Sequence, residues 1–270
     1  MRLSNEEVLQ HTHRYLELIG GQELSLEAKQ ALIAETVDSY EKYYNRGFIT
    51  YRKAVTEAGQ FAAIEWSGRD SILQDLLGRE YIDCLGGYGI FSAGVNHPVV
   101  VKAVTDQIRR MALNSQELLE PWRAALAKVL AGVTPGGLQN SFFINNGTDA
   151  IEGAIKLTRL YTKRTTFIST LGGFHGKSLG SLSLMGKASF REPFQTGLQD
   201  VRFVPYGDAD ALEVEFCRCE AVGIRIAGVV LEPVQGEAGG VVPPPDYFPR
   251  ARELCNRYGA LLIVDEIQTG

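Results

Sequence analysis

The stretch richest in chemistry is Leu261-Leu262-Ile263-Val264 followed by Asp265-Glu266-Ile267-Gln268-Thr269-Gly270. Four apolar residues running into two carboxylates describe a buried parallel strand that delivers acids at its carboxyl end, where open α/β sheets bind ligands. Asp265 can accept a hydrogen bond from a protonated ring nitrogen, and Gln268, three residues on, can reach an oxygen of the same ring. Upstream, Asn145-Asn146-Gly147-Thr148-Asp149 lies between an apolar run and a helical pattern. Glycine lets the backbone approach a ligand, the N–H groups of a helix N-terminus point outward, and a threonine hydroxyl adds a donor. That is sufficient for a phosphate cradle. The plain alternative is a helix cap by Thr148. Between these segments, Gly172-Gly173-Phe174-His175-Gly176-Lys177-Ser178 forms a glycine-rich turn. Its Phe174 can lie flat against a planar ring, or simply join the core.

Two nucleotide readings fail. Gly176-Lys177-Ser178 ends like a P-loop, and the strand into Asp265-Glu266 imitates the acidic strand of an ATPase. A P-loop, however, needs glycine five residues before Gly176, where Leu171 stands, and Leu179-Gly180-Ser181-Leu182-Ser183-Leu184-Met185-Gly186 is a poor helix. A dinucleotide fingerprint fails as well, because Gly87-Tyr88-Gly89 is followed by Ser92 in place of the third glycine. Phosphate cradle, ring stacker and acidic partner instead follow one another at the ends of successive strands. A carboxylate paired with a pyridinium nitrogen makes that ring a stronger electron sink, so the three together describe one cofactor, pyridoxal 5'-phosphate.

The elements that must position these residues are readable in outline. Ser4-Asn5-Glu6-Glu7 is a capping box that opens a helix through Ile19, closed by Gly20-Gly21. A second helix over 26–44 carries the stripe Leu32, Ile33, Thr36, Val37 and Tyr40, and Asn45-Arg46-Gly47 is expected to end it. These helices read as an N-terminal arm over residues 1–60. Over 61–270 short apolar strands alternate with helices. Strands are expected at 81–84, 142–144, 166–168, 201–204, 227–231 and 261–264. Helices are expected at 99–111 and 121–130, each with proline in its first turn, and at 149–161, 210–221 and 248–258. Such alternation predicts the α/β class, with a mostly parallel sheet covered by helices on both faces.

Composition bounds the partners. The chain has 270 residues, 45% hydrophobic, and a formal net charge of -5, so it has core material in plenty and no basic field for nucleic acid. Cys84, Cys217, Cys219 and Cys255 show no C-x-x-C spacing and read as reduced packing thiols of a cytoplasmic protein. His11, His13, His97 and His175 are too scattered for a metal site. No apolar run approaches the ~20 residues of a membrane span, and the acidic start does not read as a signal peptide.

Several stretches carry a family resemblance: Phe48-Ile49-Thr50-Tyr51-Arg52-Lys53, Ile82-Asp83-Cys84-Leu85-Gly86-Gly87-Tyr88-Gly89-Ile90-Phe91, Ser115-Gln116-Glu117-Leu118-Leu119, Phe174-His175-Gly176-Lys177-Ser178-Leu179-Gly180 and Leu231-Glu232-Pro233-Val234-Gln235-Gly236-Glu237. With Asp265-Glu266-Ile267-Gln268-Thr269-Gly270 they resemble the class III pyridoxal-phosphate aminotransferases of the ornithine, acetylornithine and 4-aminobutyrate group. The arm and the Tyr51-Arg52-Lys53 segment point to its putrescine-using branch. The resemblance implies the large domain of a fold type I transferase. It implies that Gly147 and Thr148 hold the cofactor phosphate, Phe174 stacks on the ring, Asp265 pairs its nitrogen and Gln268 contacts its phenolic oxygen. Glu237 would stand at the substrate entrance, attracting the distal ammonium of a diamine, or else make a structural bond within its loop. Where the family usually has Ser-Gly-Thr-Glu, this chain has Asn146-Gly147-Thr148-Asp149, which leaves the backbone donors in place.

The implied reaction moves an amino group from a diamine or ω-amino acid to a 2-oxo acid, in a homodimer or higher homo-oligomer. It requires a Schiff-base lysine. In the family that lysine follows the Asp-Glu-x-Gln-Thr-Gly motif, so it is expected beyond residue 270, together with a C-terminal small domain. The chain then reads as an N-terminal portion, inactive by itself. The alternative is a lysine-free relative that serves as a binding or dimer partner.

Overall fold

The computed structural model describes residues 4–51, 63–194 and 200–270. Arg52 and Lys53 of the Tyr-Arg-Lys segment, and the expected arm boundary at 60, lie outside the described residues. The chain divides into two compact units, Met1–Leu113 and Asn114–Gly270.

The first unit opens with α1 (Asn5–Ile19), whose capping box is formed as expected: the Ser4 hydroxyl accepts the Glu7 N–H, and the Glu7 carboxylate accepts the Ser4 N–H. Helix α2 (Leu26–Ser39) stops short of residue 44 and gives way to a π-type turn, Tyr40–Tyr44. The helical run does end at Asn45, as expected: its backbone is extended, with φ -161 and ψ 102, and its N–H donates to the Tyr40 carbonyl. The Asn45 side chain accepts the Phe48 N–H at 3.2 Å and starts α3 (Arg46–Tyr51). Asparagine punctuates helices at either end, because its side-chain oxygen caps a start as readily as its backbone accommodates a stop. Strands β1 (Glu65–Arg69), β2 (Ile72–Asp75) and β3 (Glu80–Ile82) form an antiparallel meander in which only β3 was foreseen. Leu18, Leu32 and Leu76 are buried together beneath Leu24, Ile33 and Ile64. Helix α4 (Pro98–Arg110) completes the unit.

The second unit contains α5 (Pro121–Val133), α6 (Gly147–Thr162), β4 (Thr166–Thr170), α7 (Leu179–Ser183), α8 (Ala188–Arg191), β5 (Val201–Val204), α9 (Ala209–Ala221), β6 (Ile226–Leu231), α10 (Tyr247–Tyr258) and β7 (Leu261–Val264). The four strands are parallel in the order β5-β4-β6-β7. Every residue of β4 and β6 is buried, and β6 accordingly reads as an apolar run, whereas β4 buries Thr166, Ser169 and Thr170 beside Phe167 and Ile168. Leu212 and Phe216 of α9 and Tyr247, Ala251 and Leu254 of α10 pack with Ile168, Val229 and Leu231 on one face. Ile151 and Ile155 of α6 pack with Phe167, Ala227 and Val230 on the other. Each such side chain contributes about 1.5–3 kcal/mol when fully buried, so the two-sided sheet is the rigid platform of the unit.

Two expectations need correction. Residues 142–144 form no strand: Phe142 is 72% exposed and the segment has no ladder partner among the described residues. A strand is held by its ladder, and apolar residues alone do not supply one. Residues 179–183 do form a short helix despite their glycine and serine content, because the Glu152 carboxylate accepts the Ser181 N–H in the first turn. Among the described residues no helix is long and apolar enough to cross a membrane.

Candidate functional site

Parallel strands present all their carboxyl ends on one edge, and the residues that follow β4, β6 and β7 meet there. Directly after β7, the Asp265 N–H donates to the Leu231 carbonyl at 2.8 Å, fixing the turn. The Asp265 Oδ2 lies 2.8 Å from Nδ1 of His175, while Oδ1 accepts the Ile267 N–H at 3.2 Å. Both side chains are withdrawn from solvent, His175 fully and Asp265 to 8% exposure. The His175 Nε2 is buried without a hydrogen-bond partner among the described residues, so Nδ1 is the nitrogen assigned the proton that Asp265 accepts. Sequence reasoning dismissed His175 as one of four scattered histidines; its place beside Phe174 in a glycine-rich turn was the available signal.

Phe174 is half-buried, and its ring meets Phe190 edge-on with centroids 5.9 Å apart. Its N–H donates to Oε2 of Glu232 at 3.0 Å, and Oε1 of the same carboxylate accepts the Gly236 N–H at 3.4 Å. Glu232 thus joins the loop after β4 to the loop after β6. Burial pushes its carboxyl above the ordinary range, with the Phe174 N–H pulling the other way. Gln235 reinforces the same junction, donating to the Thr170 hydroxyl and the Leu171 carbonyl at 3.0 Å each. Glu232 and Gln235 stand in the segment Leu231-Glu232-Pro233-Val234-Gln235-Gly236-Glu237 that carries the resemblance, but only Glu237 was given a role, because the burial of a polar loop residue leaves no local pattern.

At the start of α6 the Asn146 side chain accepts the Asp149 N–H at 2.9 Å, so Asn146 and not Thr148 is the helix cap. The N–H groups of Gly147 and Thr148 find no acceptor among the described residues, as expected of a first helical turn. Gly147 faces Ile267, whose Cγ1 would lie 3.0 Å from an added Cβ. The Thr148 hydroxyl lies 2.6 Å from Ser181 Oγ and 2.9 Å from Ser178 Oγ. Gly176 passes so close to Thr148 that any side chain there would overlap it.

Gln268 is exposed, and its amide lies against Gly236, where an added Cβ would displace it. The exposed Glu237 offers its carbonyl to the Lys187 ammonium, while its carboxylate makes no bond among the described residues. The site therefore gathers an acid–imidazole pair, a half-buried aromatic ring, two free N–H groups at a helix start and a doubly bonded buried glutamate. All are carried by one sheet edge. Such a set can hold an anionic, planar, ring-nitrogen ligand.

A parallel α/β sheet with an acid at a strand end and a glycine at a helix start defines an open α/β ligand-binding fold. Residues 55–270 match the family described as aminotransferase class-III. The chain belongs to that family, whose cofactor is pyridoxal 5'-phosphate. An ornithine aminotransferase of Toxoplasma gondii, crystallised with partial occupancy of that cofactor, superposes with a TM-score of 0.73 at 25% identity over 100% of this chain and 58% of its own. A transaminase of the marine bacterium Virgibacillus gives a TM-score of 0.76 at 28% identity, over 87% of this chain and 56% of its own. A thermostable (S)-enantioselective omega-transaminase of Thermomicrobium roseum shares the fold, with a TM-score of 0.77 at 24% identity over 92% and 58%. The chain thus spans a little over half the length of the structures it matches. The residues present fit the family's cofactor: Asp265 keeps acceptor capacity beside its imidazole, and Gly147 and Thr148 keep two free donors.

Proposed function

We propose that this chain forms the cofactor-holding part of an aminotransferase that moves an amino group from a diamine or ω-amino acid, putrescine foremost, to 2-oxoglutarate. The observation that carries the reading is the Asp265–His175 pair, 2.8 Å apart and buried at the end of β7. A carboxylate so placed stays oriented toward a ring nitrogen and stabilises that nitrogen in its protonated form. When bound, pyridoxal phosphate supplies the electron sink that lets a carbon–hydrogen bond next to nitrogen be broken.

The chain's own residues have distinct tasks. Gly147 and Thr148 hold the phosphate, Phe174 covers one face of the ring, and Gln268 contacts its phenolic oxygen. Glu237, exposed with its carboxylate unbonded among the described residues, attracts the distal ammonium of the donor. The lysine that moves the proton is assigned to the part of the longer relatives that this chain does not match. The working assembly is a homodimer or higher homo-oligomer.

Reading the coding sequence past Gly270 tests the placement of the lysine. A frame that continues into a lysine-bearing strand supports it, and a stop codon favours a non-catalytic relative. With the lysine present, putrescine, cadaverine, ornithine and 4-aminobutyrate are each supplied with 2-oxoglutarate and glutamate is measured. Putrescine is expected to be the best donor. Glutamate from none of the four would overturn the reading.

A further inference from the structure

The Gly176-Lys177-Ser178 segment imitates a P-loop without being one, and the cofactor roles above leave its serine unexplained. In the structure Ser178 belongs to a closed polar cluster with Thr148, Ser181 and Glu152. The Ser178 hydroxyl donates to Oε1 of Glu152, and the same Oε1 accepts the Ser181 N–H at 3.0 Å. The Ser178 N–H donates to the Thr148 hydroxyl oxygen at 3.2 Å. Ser181 Oγ stands 2.6 Å from Thr148 and 3.0 Å from Ser178. Ser181 is fully buried, and Glu152 lies one turn beyond Thr148 on α6.

Counting protons gives the cluster a direction. Each hydroxyl has one proton to donate. That of Ser178 goes to Glu152, so Ser178 can only accept from Thr148 or Ser181. Ser181 can donate to the Ser178 carbonyl at 3.1 Å, which leaves the Thr148 proton for Oγ of Ser181 or Ser178, so Glu152 holds the Ser178–Ser181 turn through the Ser178 hydroxyl and the Ser181 N–H. Two glycines make room for it. A Cβ at Gly176 would overlap Thr148, and one at Gly180 would overlap the Glu152 carboxylate. The spacing Gly176-x-Ser178-x-Gly180-Ser181 is thereby accounted for.

We propose that Glu152 is a positioning residue for the phosphate cradle. By holding the Ser178 hydroxyl and the Ser181 N–H, it fixes the turn to which the Thr148 side chain is bonded, so the cradle offers a phosphate the backbone N–H groups of Gly147 and Thr148. This rests on the cofactor reading of Gly147 and Thr148. Both bonds to Glu152 fall on one oxygen, so an amide there can still accept both, whereas a methyl group cannot.

The test measures, by equilibrium dialysis, the affinity of the protein for pyridoxine 5'-phosphate and for pyridoxine. These ligands differ only in the phosphate and carry no aldehyde to react with lysines. The wild-type protein should prefer the phosphorylated ligand. Glu152→Ala should lower that preference by about fivefold, the worth of one net hydrogen bond. Glu152→Gln should retain it, and Gly180→Ala should reproduce the loss. Urea midpoints identify any variant that has merely unfolded, and the comparison of Gln with Ala at 152 then stands on folded protein. An unchanged preference in a folded Glu152→Ala, or an equal loss in Glu152→Gln, overturns the positioning role alone. A wild-type protein without any preference overturns the cofactor reading beneath it, and the proposal with it.

Discussion

His175 Nδ1 stands 2.8 Å from Asp265 Oδ2, joining residues 90 positions apart in the chain. The pair bridges the turn after β4 to the end of β7 with both side chains withdrawn from solvent, and it adds to the Ile267 N–H that Asp265 Oδ1 accepts. Removing the donor from a buried carboxylate costs about 1.5–3 kcal/mol, because a hydrogen bond to a charged group is lost. His175→Ala is therefore expected to lower the unfolding free energy by about 2 kcal/mol. Urea denaturation checks this, and an unshifted midpoint would show that Asp265 finds equal support elsewhere.

Glu232 makes a different kind of prediction. Burial raises its carboxyl above the ordinary value of 4.5, so the folded state holds the proton more tightly than the unfolded chain does. Stability from this source is full below pH 4.5 and is lost as pH rises through the folded-state value. Glu232→Gln cannot titrate. The difference in unfolding free energy between wild type and variant should thus shift in favour of the variant as pH is raised from 4 to 7. A difference independent of pH would sink the assignment.

Asp75 has the opposite sign. Burial pushes its carboxyl upward, but the backbone N–H and guanidinium of Arg79 and the Tyr81 hydroxyl outweigh burial and hold it below the usual carboxylate range. Its contribution is present at neutral pH and lost as pH falls through the lowered value. Asp75→Ala should destabilise the β2–β3 hairpin by about 2 kcal/mol, since it removes the acceptor that the Arg79 guanidinium and the Tyr81 hydroxyl share, at 2.6 and 2.9 Å. Hydrogen exchange of the amides in 72–82 measures this, and protection equal to wild type would refute it.

The cysteines divide into two classes. Cys84 and Cys217 are exposed, whereas Cys219 and Cys255 are buried, their thiols pushed up to about 11 and about 12 by burial. Since the thiolate is the reactive form, a water-soluble disulfide reagent at pH 8 should titrate two thiols quickly and the others only on denaturation. Mass spectrometry should place the fast label on Cys84 and Cys217; label on Cys255 in folded protein would contradict the packing.

Much of this architecture was legible from local pattern. The strands at 201–204 and 261–264 were placed to the residue, and those of β4 and β6 within one or two, because short β-branched and aromatic stretches between helical patterns mark strands. The capping box at Ser4 was equally plain, since its partners lie three residues apart. The β1–β2 hairpin was not legible. Its strands are short, β1 is mostly exposed, and its turn passes through Asp70 at φ 54 without an Asn-Gly signal. Residues 142–144 erred the other way, with the composition of a strand and no ladder partner among the described residues.

Periodicity, caps and glycine placement are local codes, and they were enough to order the elements and to set Gly147, Phe174, Asp265 and Gln268 after strands or before a helix. They could not say which side chains meet. The sheet runs β5-β4-β6-β7, out of chain order, so the neighbours of a strand end are decided by packing and not by succession. His175 with Asp265, Glu232 with Phe174 and Glu152 with Ser178 are separated by 90, 58 and 26 residues. Each unites polar groups that burial would penalise singly and tolerates only in company. That condition exists once the sheet has formed, and no stretch of the chain carries it alone.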